Sequence, residues 1–368
     1  MTVQVVSSLL GLQMLAVEWN SLLADSTADS IFLTWEWIVA WLESVGRGVP
    51  LMVMLSRDTS GRLCGAAPFY RRCWRLLRTL PYRALCVLGD ADNGSEYGNL
   101  MVRRGYEEPV TTDLMRHLLT DAASDVVWLP NMGPEPDENH SLAGAAAEAG
   151  WQVRERPAEF ARVELPEEFG LYLGRLPGKI RYQMRTGLQR LDSAGAVVRS
   201  ADREPDSLEM FLSELFRLHQ LRWTRRGVPG LFADPRMRDF YRVLAKRMLG
   251  RGWLRLDLLW AAGRAVAAQI GFAYHGTFYE LQRGFDPAYA NVPAGLGAAL
   301  RNRVMERCIH EGIRTYDFLG EMTEDKLRAG AVSVKGHDLI AIRPSVRTTP
   351  LLRLPLWPTG RYLKAEAL

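Results

Sequence analysis

A chain of 368 residues exceeds a comfortable single core, so two domains of ordinary size are expected. Hydrophobic content of 48% with 24% charged residues excludes a disordered chain, and no apolar run approaches the roughly 20 residues that cross a bilayer. The formal net charge of +4 suits an anionic ligand such as a nucleotide or phosphate, and is too small to argue for DNA binding.

In chain order, Glu36 to Ser44 reads as a helix, with Trp37, Trp41 and Val45 at helical spacing before Gly46. Leu51 to Leu55 and a second strand ending near Phe69 form a hairpin around the turn Asp58 to Gly61. Gly89 to Gly98 is a loop, Glu107 to Ser124 a helix, Val126 to Leu129 a strand and Pro130 to His140 a further loop. A helix from Leu142 to Ala149 and a strand from Arg154 to Glu164 close an N-terminal domain, 1–164. The second domain, 165–345, opens with helices over Lys179 to Asp192, Asp206 to Thr224 and Met237 to Leu249. Three strands follow, Trp253 to Trp260, Ala265 to Tyr274 and Thr277 to Phe285, joined by tight turns. Beyond the loop Asp286 to Pro293 come a helix from Ala294 to Glu311 and strands at Arg314 to Leu319 and Val334 to Arg343. Residues 346–368 are expected to be a Pro-rich surface tail.

Cys64, Cys73, Cys86 and Cys308 form no C-x-x-C pair, and the histidines form no H-x-x-x-H pair. Reduced packing cysteines are expected, with no metal, and the absence of a basic secretory leader points to a cytoplasmic protein. Five residues of the 46 Lys+Arg are lysine, so a lysine kept inside a motif, such as Lys326, gains weight over an arginine there.

Pro293-Ala294-Gly295-Leu296-Gly297 sits where a helix begins, just beyond the strand ending at Phe285. Backbone amides and the positive helix end at that place suit a pyrophosphate, and close helix packing explains the glycines equally well. The three antiparallel strands ahead of it exclude the parallel setting of a dinucleotide fold.

The run His219-x-x-x-Trp223, Ala268-Gln269-Ile270-Gly271, Gly284-Phe285-Asp286-Pro287, Gly295, Asp317 and Lys326 resembles the GNAT-fold acyltransferases associated with cellulose and exopolysaccharide synthesis, relatives of the Fem peptidyltransferases. Thr34-Trp35-Glu36-Trp37 and Ala67-Pro68 extend the resemblance to the N-terminal half. It implies an α/β (α+β) fold of two tandem GNAT-like domains, each a mixed, mainly antiparallel sheet flanked by helices, with the acceptor on the N-terminal side. It further implies acetyl-CoA or another acyl-CoA as donor and an amine or hydroxyl of a sugar or small metabolite as acceptor. The family pattern has Arg or Gln three residues before the first loop glycine; Val292 stands there, so phosphate must be held by backbone amides or by arginines from elsewhere.

Within that frame Phe285, Ala294, Gly295, Leu296 and Gly297 are the expected donor contacts. The resemblance puts Lys326 at the reacting end of the donor, where an ammonium stabilises an oxyanion. Asp317, Glu321 and His219 are the candidate bases; Asp317 reads equally as a strand-end cap, and His219 as packing against Trp223 one turn on. Gln269 and Gln282, on apolar strands, need a partner that is either substrate or a neighbouring strand. The basic helix KIRYQMRTGLQRL offers Arg181 and Arg185 one turn apart, either for a substrate phosphate, as in the Fem relatives, or as a solvated face. Ser95-Glu96-Tyr97 lies where relatives carry an acidic residue and tyrosine, which makes Tyr97 an acceptor-site candidate or a turn residue. Two alternatives stand beside acyl-CoA chemistry: an aminoacyl-tRNA donor, as in the Fem enzymes, and a degenerate, non-catalytic binding module.

Overall fold

The computed structural model describes residues 1–89, 94–120, 124–133, 142–289, 295–353, 357 and 363–365. The chain is mixed α/β, its strands mostly antiparallel and flanked by helices. It divides into two compact units, Met1–Ala158 with Lys335–Leu368, and Glu159–Val334.

In chain order the first half contains β1 (Thr2–Val6), α1 (Leu9–Gln13), α2 (Ala16–Ala24), α3 (Trp35–Leu42), β2 (Leu51–Arg57), β3 (Leu63–Leu76), β4 (Leu80–Val87) and β5 (Met101–Val102). Then follow α4 (Glu107–Thr120), β6 (Val126–Met132), α5 (Leu142–Glu148) and β7 (Gln152–Glu164). The second half has α6 (Phe169–Arg175), α7 (Gly178–Ser193), β8 (Val197–Ser200), α8 (Leu208–Thr224), α9 (Pro235–Gly250), β9 (Leu254–Ala261), β10 (Arg264–Tyr274) and β11 (Thr277–Phe285). It closes with α10 (Leu296–His310), β12 (Thr315–Asp317), α11 (Glu324–Arg328), β13 (Val332–Ile342), α12 (Thr349–Arg353) and β14 (Leu363–Ala365).

The two units repeat one topology. In the first, β1, β2, β3 and β4 are antiparallel neighbours, α4 crosses over, and β6 returns parallel to β4. In the second, β8, β9, β10 and β11 are antiparallel neighbours, α10 crosses over, and β12 returns parallel to β11. Each unit takes its last strand from the other half of the sequence. Residues 162–164 of β7 pair antiparallel with β12, and residues 337–342 of β13 pair antiparallel with β6. This exchange shifts the boundaries from those expected at 164/165 and 345/346, because a strand's partner leaves no mark on local composition. The expected tail is also more structured: Thr348 and Leu351 are buried, and β14 pairs antiparallel with β3.

Local chemistry explains the main elements. Thr34 caps α3 by accepting the Trp37 amide on its hydroxyl, and the helix buries Trp37 and Trp41. In the second unit, α7 turns Met184, Leu188 and Leu191 inward, and Met184 and Leu191 join the core with Leu300, Val304 and Met305 of α10. That core lies on the face of the sheet that carries Ala267, Phe278 and Tyr316. On α8, Phe211, Leu215 and Leu218 are fully buried.

Candidate active site

The second unit's site follows from where one strand pair stops. The parallel ladder of β11 and β12 runs only from Thr277↔Thr315 to Tyr279↔Asp317. Strand β11 continues six residues further, to Phe285, so among the described residues the edge of Glu280 to Phe285 has no strand partner on the β12 side. The register against β10 shifts between Ile270↔Gln282 and Gly271↔Glu280, a bulge at Leu281 that twists the free edge.

At the outer end of this strand, Gly295 precedes α10 with φ +84, ψ 156, a conformation that favours glycine and aims the first helix turn at the strand's end. Gly297 packs against Phe285: an added Cβ would meet the ring at 3.5 Å. Ala294 lies outside the described residues. A cleft of about 460 Å³ opens here, lined by Phe285, Gly295 and Leu296 and by three arginines from the end of α8, Arg222, Arg225 and Arg226. Arg225 donates to the Pro287 carbonyl at 2.9 Å, and Arg222 to the Arg283 carbonyl at 3.3 Å. Arg222 also lies over the Phe285 ring, and Arg222 and Arg226 both face Trp223. Burial, then the charges of Arg283 and Arg226, pull the Arg222 guanidinium down to about 10, the mark of a positive group short of counter-charge. The run RWTRRG carried the signal of the α8 arginines in the sequence, as three arginines within five residues at the end of a helix.

The inner end of this edge holds protein side chains. Glu280, buried on β11, accepts the Tyr316 hydroxyl at 2.6 Å and pairs with Arg283 at 2.7 Å. Gln269 donates its Nε2 to the Tyr316 hydroxyl at 2.8 Å, while its buried Oε1 has no hydrogen-bond partner among the described residues. Asp325 on α11 bridges Arg283 and Arg301. Burial alone would raise the Asp325 carboxyl, but the hydrogen bonds and charge of Arg301 and then Arg283 hold it well below the usual carboxylate range.

The expected catalytic side chains are largely engaged in holding this frame. Lys326 turns its ammonium back onto the carbonyls of Leu319 and Glu321, the latter at 2.8 Å. Asp317 is fully buried, accepts Arg162 Nε at 2.7 Å, and takes the Leu319 amide at 2.8 Å where the backbone enters the left-handed region at φ +58. His219 is 1% exposed, accepts Trp223 Nε1 on its own Nε2 at 2.9 Å, and packs edge-on against Phe232. Burial pulls its imidazole down to about 4, so it is neutral near pH 7 with its lone pair taken, an arrangement unsuited to a base. Gln282 hydrogen-bonds the same His219 and Tyr241. Glu321 is exposed. Arg185 faces solvent on α7, Arg181 donates to the Gly174 carbonyl at 3.1 Å, and neither lines the cleft. Tyr97 belongs to the first unit, buried beside Phe32 with φ +56. Among the described residues no cluster of His, Cys, Asp and Glu could hold a metal, and no helix is long and apolar enough to cross a membrane.

Residues 178–327 match the family model of the acetyltransferase (GNAT) domain. No curated protein matches the chain. Among solved structures, FemX is similar with a TM-score of 0.62 at 12% identity, over 92% of this chain and 97% of that one. The C-terminal domain of a lysylphosphatidylglycerol synthetase from Agrobacterium fabrum gives 0.53 at 10% identity, over 93% and 95%. L-PGS from Bacillus licheniformis gives 0.51 at 12% identity, over 91% and 93%. Identities this low speak for the fold alone. The open strand edge, the glycine-led helix and the match to the acetyltransferase (GNAT) domain model all fall on the same unit, which has the GNAT fold.

Proposed function

We propose that the second unit binds a phosphate-bearing acyl donor, acyl-CoA in the first reading, and transfers its acyl group to an amine or hydroxyl of a sugar or small metabolite. The carrying observation is the cleft at the end of β11, where Arg222, Arg225 and Arg226 face the start of α10 at Gly295. A diphosphate there meets free helix-end amides and three guanidinium groups. The acyl arm then follows the unpaired edge of β11, whose amides beside the Leu281 bulge polarise the acyl carbonyl. The acceptor nitrogen or oxygen attacks that carbon, the bond to the leaving group breaks, and the acceptor's proton passes to a carboxylate. With Asp317 held by Arg162 and His219 enclosed, Glu321 is the expected base that remains exposed, on a turn fixed by Lys326. A sugar acceptor accords with the exopolysaccharide-associated group that the sequence resembles.

A second reading, an aminoacyl-tRNA donor, is favoured by one observation: the inner end of the β11 edge is occupied by Glu280, Arg283 and Asp325, which narrows the path for a pantetheine arm, while the outer cleft is rich in arginine. Thermal stabilisation separates the two. Acetyl-CoA at saturating concentration should raise the melting temperature of the wild type and not that of Arg222→Ala. Stabilisation by aminoacylated tRNA alone, with a steep loss on adding salt, would transfer the proposal to the second reading. Stabilisation by neither would leave the non-catalytic module.

A further inference from the structure

Arg301 is 1% exposed within α10, yet both its terminal nitrogens reach a surface carboxylate: Nη1 meets Asp325 Oδ2 at 2.8 Å and Nη2 meets Oδ1 at 3.2 Å. Arg283 Nη2 adds a third bond to Oδ2 at 2.9 Å. One carboxylate thus receives three charge-assisted hydrogen bonds from two guanidinium groups, the fork geometry that proteins use to hold carboxylate and phosphate ligands. The two partners differ in how they are mounted. Arg283, 15% exposed, sits on β11 and Arg301, fully buried, on α10. Asp325 is 51% exposed, on a five-residue helix. Left-handed residues bracket that helix, Leu319 at φ +58 and Gly320 at +51 before it, and Gly330 at +81 after it. Its Leu327 is exposed and Lys326 ties to two carbonyls, while the chain just past the helix is anchored by Ala329, fully buried in the core with its carbonyl accepting the Tyr172 hydroxyl at 3.0 Å.

A buried guanidinium cannot shed its charge, so a counter-ion must stay with it whether or not a ligand is present. Glu280 holds the other side of Arg283 and is itself buried and bonded to Tyr316, which leaves Asp325 as the carboxylate open to exchange. Arg222 donates to the Arg283 carbonyl, so the pair continues inward from the arginine-lined cleft.

We infer that Arg283 and Arg301 form an oxyanion-binding subsite at the inner end of the β11 edge, which Asp325 fills as an internal stand-in until a carboxylate or phosphate group of a ligand displaces it. The subsite recognises a planar or tetrahedral oxyanion in bidentate contact, whether that group belongs to the donor or to the acceptor. It stands apart from the donor reading, because inorganic and small organic anions test it without any acyl donor.

Asp325→Ala removes the stand-in and leaves the guanidinium pair open. Its melting temperature should fall below that of the wild type and recover with millimolar sodium acetate or sodium phosphate, but not with sodium chloride at equal ionic strength. Recovery by acetate alone marks a carboxylate subsite; recovery by phosphate marks a phosphate one. Asp325→Asn, which keeps the shape and loses the charge, should bind the recovering anion about tenfold tighter than the wild type, and adding Arg283→Ala should remove that gain. Should Asp325→Ala not fold in chloride buffer, refolding yield in acetate or phosphate against chloride gives the same readout. Equal responses of Asp325→Ala and Asp325→Asn to acetate, phosphate and chloride would overturn the inference and make Asp325 a fixed structural counter-ion.

Discussion

Gly284 lies directly against the backbone of His219: a Cβ added to it would stand 2.3 Å from the His219 amide nitrogen and 2.5 Å from the Leu218 carbonyl carbon. Backbone meets backbone at that point, so no side chain can move aside. This contact seats α8 on β11 and thereby fixes how far Arg222, one turn on, reaches over Phe285. Gly284→Ala should therefore cost about 2–3 kcal/mol in urea unfolding, as expected for overpacking in a closed core. It should also weaken ligand binding in the arginine cleft. A variant with wild-type stability would mean that the two elements can separate freely.

His219 gives the second unit a pH dependence of definite sign. Its imidazole titrates near 4 in the folded protein and near 6.5 when unfolded. Between these values the unfolded chain binds the extra proton, so stability is fully present above pH 6.5 and falls as pH drops towards 4, by up to about 3 kcal/mol. Replacing His219 with Gln should lower stability at pH 7 and flatten the curve between pH 6.5 and 4. Parallel curves for the two proteins in denaturant titrations at pH 7, 6 and 5 would assign the acid loss to other groups.

The Asp317 carboxylate does two structural tasks at once, pairing with Arg162 of β7 and capping the Leu319 amide. Asp317→Ala leaves Arg162, itself partly exposed, without that partner and the turn without its acceptor, a loss of about 1–3 kcal/mol for charge-assisted hydrogen bonds of this kind. Equilibrium unfolding measures it. A loss below 1 kcal/mol would return Asp317 to the list of groups kept for chemistry.

Lys326 presents a sharper choice. If its work is to clamp the carbonyls of Leu319 and Glu321, Lys326→Ala should speed amide hydrogen exchange across residues 319–330 and lower the melting temperature by a few degrees. Unchanged exchange with lost turnover would instead put the ammonium at the acyl carbonyl, as the Fem resemblance implies.

Periodicity made much of this fold legible. The strands 264–274 and 277–285 and the helices 178–193 and 296–310 stand within two residues of where their sequences put them. What escaped were elements whose signal is not periodic. Strand β4 was hidden because its turn from β3 uses Leu77 and Arg78, at φ +50 and +64, where a tight hairpin usually shows Asn or Gly. Helix α11 is too short to display a face, so Asp325 read as an ordinary surface acid while its neighbour Lys326 drew the attention. The strand exchange was invisible for a deeper reason, since pairing partners are a property of the tertiary fold. At the candidate site, spacing pointed to the glycine-led helix, whereas the arginines that line the cleft beside it come from the end of α8, some seventy residues earlier in the chain.

The repeated topology raises the question of how many donors one chain accepts. In both units a helix follows the last antiparallel strand of the meander, and in both the parallel ladder beyond it is short. The helix starts differ in sign. Helix α10 follows Gly295 with no acidic residue in its first turn. Helix α4 opens with Glu107-Glu108-Pro109: two carboxylates sit at the positive helix end, Glu107 already accepts the Gly105 amide at 3.0 Å, and the proline lacks an amide to donate. A phosphate would be repelled there and find fewer donors. Isothermal titration should therefore give one equivalent of donor per chain, and the heat should vanish in Arg222→Ala. A stoichiometry of two would show that the acidic start of α4 does not bar an anion, and would undo the division of labour between the units.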